Sequence, residues 1–170
     1  SNAGYQLEPA GNMIGKLDFM PINDRAFYLK YAEALKHPGD FSSKTTDFFA
    51  GDANINVVHP FNQLRGSYAY LEEFLLPLQD SFKGLYRRDD IFMLGEFEGQ
   101  EWISSTGYYV GQFEKDWIGL RATKKLTYLR YGEFHRIENG CAVESYIYLD
   151  IPELMISCNQ WPLDMGPGHS

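Results

Sequence analysis

Two cysteines, Cys141 and Cys158, are all the thiols in this 170-residue sequence. They can form one disulfide at most, so neither a secreted disulfide framework nor a cysteine-rich zinc site is available. Basic residues are also scarce: 15 Lys and Arg stand against 23 Asp and Glu, a net charge of −8. The nearest approaches to a basic cluster are Arg87-Arg88, followed at once by Asp89-Asp90, and Lys124-Lys125. A nucleic-acid surface needs a basic stripe, so no partner of that class is expected. No apolar run approaches the ~18 residues of a membrane span, so no membrane partner is expected either. A Gly-rich phosphate loop, a serine-nucleophile elbow and a metal-ligand spacing are all missing, and no cofactor or metal is expected.

What the sequence has in abundance is aromatic surface. Twelve Tyr, 12 Phe and 3 Trp make up 16% of the residues, enough for a thick core, an aromatic-lined pocket, or both. The length fits one domain with a full hydrophobic core. Ser1-Asn2-Ala3 reads as a remnant of tag removal, residues 4–19 as an extended arm, 20–160 as the domain and 161–170 as a mobile, Pro/Gly-rich tail. A cytoplasmic location is expected, although a trimmed signal peptide would leave no trace in the sequence.

Helices come first. "PINDRAFYLKYAEALKHPGD" places Phe27, Tyr31, Ala34 and Leu35 at helical spacing, with Asn23 or Asp24 as cap and His37-Pro38-Gly39 as the stop. A short helix is expected over residues 45–50 and a third from Ser67 to Phe82, kinked or shortened at Pro77. "ANINVVHP" between them reads as a strand closed by Pro60. After Phe82 the pattern is antiparallel: two strands turning near Glu98-Gly99-Gln100, then a long strand that returns through Asn139-Gly140. Residues 113–123 form a loop long enough to be functional, and a short helix follows Asp150. Helices segregated from strands give an α+β fold, with a hollow between the layers.

Three segments, "NVVHPFNQLRGSYAYLEEFL", "TGYYVGQFEKDWIGLRATKK" and "EFHRIENGCAVESYIYLDIPELM", resemble SnoaL-like polyketide cyclase-type domains of the NTF2-like superfamily. The resemblance spans about residues 20 to 160. It implies an α+β cone, N-terminal helices packed on a strongly curved antiparallel sheet, often dimeric through the sheet, with a cavity at its wide end. It also implies a hydrophobic small-molecule ligand. The characterised cyclases use a His-Asp pair on the last hairpin; aligned through Arg136-Ile137 and Gly140, those positions fall on Glu133 and Ile147. The pair is therefore not retained, and Tyr108 stands where relatives often carry histidine.

The candidate catalytic residues are Glu133 and His135. A two-residue turn at Asn139-Gly140 would set Ile137 opposite Ala142, His135 opposite Glu144, Glu133 opposite Tyr146 and Tyr131 opposite Tyr148, all on one face. Arg130, Phe134, Arg136, Val143, Ile147 and Leu149 would then share the other face, and a one-residue slip would exchange the sets. His135 beside Glu144 would be an acid/base unit or a cross-strand ion pair. Glu133 among tyrosines would be a carboxyl with a raised pKa able to take a proton next to a carbonyl, or a packed hydrogen-bond acceptor. His59, Trp102, Tyr108, Tyr131, Tyr146, Tyr148 and Asp150 are the expected pocket residues. His59 could equally serve as a loop hydrogen-bonder, and Asp150, in "DIPE", as a helix N-cap. The reaction expected is cofactor-free acid/base chemistry of the lyase or isomerase type, on a carbonyl-bearing or ring-containing molecule. The alternatives are a non-catalytic binding or dimerisation domain and, using Arg130, hydration of an epoxide.

Overall fold

The structure, a computed structural model, describes Leu29, Tyr31 and residues 47–161. Leu29 and Tyr31 are helical, and Tyr31 is fully buried. The rest of the expected first helix, the arm over 4–19 and the tail beyond Trp161 lie outside the described residues. Six strands form one curved sheet: β1 (Phe49–Val57), β2 (Gln63–Arg65), β3 (Phe82–Phe97), β4 (Gln100–Phe113), β5 (Leu126–Glu138) and β6 (Cys141–Leu149), in the order β2-β1-β6-β5-β4-β3. Helices α1 (Ser67–Tyr70), α2 (Leu76–Ser81) and α3 (Ile151–Ser157) complete the α+β architecture.

Pro77 has the expected effect on the chain after Ser67. Its ring cannot coexist with a regular turn and it offers no N–H to the carbonyl four residues back. The backbone accordingly widens into a π turn, Leu71–Leu75, between α1 and α2. This continuous helical stretch buries Tyr70, Leu71, Phe74, Leu75 and Leu78 against the concave face of the sheet.

Three local expectations change. The short helix expected to run to residue 50 gives way at Phe49, which pairs with Ala142 and turns its ring into the core. The three-residue β2 carries too little sequence pattern to be read in advance. And β1 joins β6 in parallel, while all other neighbours are antiparallel.

The hairpin turn forms as expected, with Asn139 and Gly140 both at positive φ (50° and 78°). The pairing then departs from the expected register. Ile137 faces Ala142, but Arg136 faces Glu144 and His135 faces Ser145, leaving Val143 as an extra residue in β6. This bulge shifts every later pair by one. Glu133 therefore faces Ile147, not Tyr146, and Tyr131 faces Leu149, not Tyr148. Ile147 and Leu149 turn inward, while Tyr146 and Tyr148 are about half exposed on the convex face.

Asp150 ends β6 and starts α3. Its Oδ1 accepts from the Glu153 N–H at 3.0 Å, with Pro152 in the first turn. Replacing Asp150 with Ala should remove that cap and lower the unfolding free energy by about 1 kcal/mol in urea denaturation. A conservative Asp150→Asn, which keeps an acceptor oxygen, should recover most of the loss.

Candidate functional site

The site begins with the four charges Arg87-Arg88-Asp89-Asp90, which look self-neutralising in sequence. On a strand, alternate residues point to opposite faces. Arg87 and Asp89 thus turn inward and pair (Nε to Oδ1, 3.2 Å), while Arg88 and Asp90 turn outward and pair separately at 3.3 Å. Asp89 pairs with Gly107 and Ile91 with Thr106, so Asp90 is a second bulge, after which the inward positions change from odd to even: Phe92 and Leu94. The inner pair meets the inward row of β5, Tyr131, Glu133 and His135, from across β4.

Glu133 is the hub. It accepts from Arg87 Nη1 at 2.8 Å and from the Tyr31 hydroxyl at 3.2 Å, and it sits 2.8 Å from His135 Nε2. None of its side chain is exposed. Burial pushes its carboxyl up, but Arg87, His135 and Tyr31 outweigh burial and hold it at about 2, against an ordinary 4.5. Of the two readings open for Glu133, a raised carboxyl or a packed hydrogen-bond acceptor, the lowered pKa and the three contacts agree with the second. Being ionised, Glu133 can only accept, so His135 Nε2 carries a proton. In the neutral imidazole, Nδ1 then accepts from the Ser145 hydroxyl at 2.7 Å. The rings of Tyr31, Phe48 and Phe49 pack around the imidazole at 5.3–5.8 Å.

Arg87 is fully buried. Desolvation works against its charge, yet Glu133 and the surrounding tyrosines raise its pKa overall. Its guanidinium also donates to the hydroxyls of Tyr31 and Tyr109, and lies over the Tyr131 ring at 4.2 Å. The Tyr131 hydroxyl donates to Asp89 Oδ1 and lies 3.0 Å from Ser105 Oγ. Burial, despite Arg87, raises the pKa of Tyr131, and it carries that of Tyr109 to about 12, so both phenols keep their protons. The Tyr70 hydroxyl, also buried and protonated, lies beside Tyr109 without completing a well-directed hydrogen bond.

Of the residues singled out in the sequence, Glu133, His135 and Tyr131 come together in this interior cluster. His135 does not meet Glu144, which instead binds Arg136 at 3.0 Å on the other face. Tyr108 lies there too, between Arg88 and Arg130 at 5.0 and 4.7 Å, and Trp102 faces Arg136 across β4–β5. His59 is exposed in the turn after β1, and Asp150 caps α3. The loop after β4 is held by buried Trp117, which packs on Phe61 and Phe82. Arg87, Asp89, Tyr31, Tyr70, Tyr109 and Ser145 were not among the site residues expected from the sequence. Period-two alternation through "RRDD" was the one signal that could have found the first two.

The two hairpin positions that the resemblance assigns to a His-Asp pair, Glu133 and Ile147, are direct cross-strand neighbours. In this chain they are a carboxylate and an isoleucine, and the partner of Glu133 is Arg87 from β3. No protein-family model matches the sequence, and no curated protein matches it. Solved structures do. AclR of Streptomyces galilaeus, described as a candidate hydroxylase, superposes with a TM-score of 0.66 at 14% identity, over 83% of each chain. IdmH of Streptomyces antibioticus, described as a candidate polyketide cyclase, gives 0.62 at 15% identity over 79% of this chain and 96% of its own. A candidate SnoaL-like polyketide cyclase from Jannaschia sp. CCS1 gives 0.65 at 10% identity over 80% and 93%. The chain has the cone fold of these structures, the NTF2-like fold.

The ion pair has a measurable signature. The low pKa of Glu133 means that its ionised form favours the folded state. That contribution is complete above the ordinary value of 4.5 and is lost as pH falls from there toward about 2. Glu133→Gln should be less stable at neutral pH by about 3–5 kcal/mol, the usual cost of breaking a buried pair. In urea denaturation over a pH series, its deficit relative to the parent should shrink below 4.5. Adding Arg87→Met should cost much less than the sum of the two single changes.

Proposed function

We propose that this protein is a cofactor-free acid/base enzyme of the lyase or isomerase type, acting on a hydrophobic small molecule with a carbonyl or ring, bound inside the cone. The observation that carries this reading is the buried Arg87–Glu133 ion pair, with His135 and the tyrosines hydrogen-bonded around it, in an interior that is mostly apolar among the described residues. Such groups cost free energy in a core that apolar residues could fill, and they cluster where chemistry needs them. The conformity of the fold with structures described as candidate cyclases supports the class of reaction and leaves the substrate to the site.

In this reading Glu133 and Arg87 form the charged framework of the site, and Glu133 also fixes the His135 imidazole. A protonated tyrosine stabilises the oxygen on which negative charge develops. Tyr70 fits that role, because burial keeps its proton on and its hydroxyl has no well-directed partner among the described residues to give up. A homodimer belongs to the same proposal. Phe134, Tyr146 and Tyr148, each about half exposed, line a groove of about 550 Å³ with Gly132 on the convex face, a surface suited to a second copy of the chain. No described helix is long and apolar enough to cross a membrane. A cytoplasmic location is in keeping with the free thiols of Cys141 and Cys158.

The test is proton exchange next to a carbonyl. The protein should accelerate deuterium uptake by β-tetralone, a hydrophobic ring ketone, in deuterium oxide, followed by NMR. Tyr70→Phe should slow that exchange about 10²-fold or more if it supplies the oxyanion-side donor. Unchanged turnover in a Glu133→Gln/His135→Phe double variant would remove the site assignment, and a parent protein inert in this assay would favour a binding domain. Light scattering should give twice the 19.6 kDa chain mass, falling to one chain in Phe134→Glu.

A further inference from the structure

We infer that the proton acceptor of this site is Asp89, on β3, presented by Tyr131 and Ser105 through a notch left by Gly107. The inference rests on the acid/base reading just given and assigns its central step to a residue outside the hairpin.

Among the described residues two carboxylates reach the interior cluster, and they differ in accessibility. Glu133 has none of its side chain exposed and is enclosed by Arg87, Tyr31 and His135. Asp89 has 5% of its side chain exposed and stands on an edge strand, immediately before the Asp90 bulge. Bulges bend a strand and re-aim the side chains beside them. Here the bend brings the β3 backbone down over β4. A Cβ on Gly107 would lie 2.0 Å from the Arg88 carbonyl oxygen and 2.9 Å from the Asp89 Cα, so only glycine fits.

Gly107 pairs with Asp89 on one side and with Tyr131 on the other. With no side chain between them, the Tyr131 hydroxyl crosses β4 and donates to Asp89 Oδ1. With that proton committed, the 3.0 Å contact between Ser105 Oγ and the Tyr131 oxygen places the serine as donor. The result is a chain of two hydroxyl donors ending on a carboxylate, whose orientation is fixed further by Arg87 Nε at 3.2 Å. A carboxylate held in this way, at the accessible end of a buried charged cluster, has what a general base requires: position first, and a fixed geometry.

The step it performs is balanced without any added reagent. Asp89 takes the proton from the carbon next to the substrate carbonyl, and the C–H electron pair moves into the carbonyl to form an enolate. Where a β,γ-double bond extends the enolate to a dienolate, the carboxylic acid so formed returns its proton to the γ-carbon and the double bond moves into conjugation. Where a β-hydroxyl is present, the acid protonates it as the enolate electrons expel it, and water is eliminated.

Deuterium uptake by β-tetralone in the full chain tests the assignment, with circular dichroism of each variant as the check on folding. Asp89→Asn is expected to slow exchange by about 10²–10⁴-fold, the usual contribution of a general base. In Asp89→Gly, sodium formate should restore part of the exchange, a rescue that a purely structural carboxylate would not show. Tyr131→Phe, which keeps the ring and removes only the hydroxyl, should slow exchange about 10-fold or more while leaving KM for β-tetralone near the parent value. If the parent catalyses exchange and folded Asp89→Asn does so equally well, Asp89 is not the acceptor and the acid/base reading stands without it. If Asp89→Gly is folded, inactive and deaf to formate, the assignment is likewise overturned. If the parent catalyses no exchange, the acid/base reading itself falls and this inference falls with it.

Discussion

The buried ion pair between Arg87 and Glu133 is the interaction on which the interior is built. Removing two charges from water costs several kcal/mol per ion, and the mutual attraction repays this only when the remaining donors and acceptors are also used. Here they are. Glu133 takes contacts from Arg87, Tyr31 and His135, and Arg87 gives its N–H groups to Glu133, Asp89, Tyr31 and Tyr109. The rings of Tyr31, Tyr109 and Tyr131 lie within 4.2–5.7 Å of the guanidinium and fill the space that water would otherwise occupy. The partners come from β3, β4, β5 and the helix of Tyr31, so the pair is satisfied only when these elements are assembled together. That couples the charge state of the interior to the completeness of the fold.

Two bulges decide what this interior contains. The one at Val143 turns Ser145, Ile147 and Leu149 inward and sends Tyr146 and Tyr148 out. The one at Asp90 lets β3 supply Arg87 and Asp89 to the cluster and then continue with Phe92 and Leu94 on the same face. Without either, a strand of strict alternation would carry its polar and apolar sets to the opposite sides. The extra residue in each strand therefore does two things at once: it curves the sheet into a cone, and it sorts which side chains reach the inside.

The same fold is shared with structures at 10–15% identity, described as candidate cyclases and a candidate hydroxylase. What the fold preserves is a shape: a curved sheet closed by helices, with the last hairpin on its concave wall. What it leaves open is the set of polar groups placed on that wall. In this chain the hairpin contributes a carboxylate and an imidazole on one strand and an isoleucine opposite, and the balancing charge arrives from β3. The chemistry proposed for the site follows from that redistribution rather than from the shape.

The sequence by itself determined the class of fold, the helix before the sheet with its break at Pro77, the Asn139-Gly140 turn and the cap at Asp150. Each is a local matter, settled by a few adjacent residues through φ preference, a missing N–H or a side-chain acceptor. It also pointed to Glu133, His135 and Tyr131, because period two keeps residues of one strand on one face wherever the register lies. The tertiary structure alone decided their company. Arg87 is 46 residues from Glu133 and Tyr31 is 102 residues away. The spacing of "RRDD" puts the two pairs on opposite faces, but which of them is buried is decided only when β3 lies against β4. The bulges were decided there too: an extra residue is tolerated in a strand only where neighbouring strands and the core accept it, a condition set by the assembled sheet and written in no single stretch of the chain.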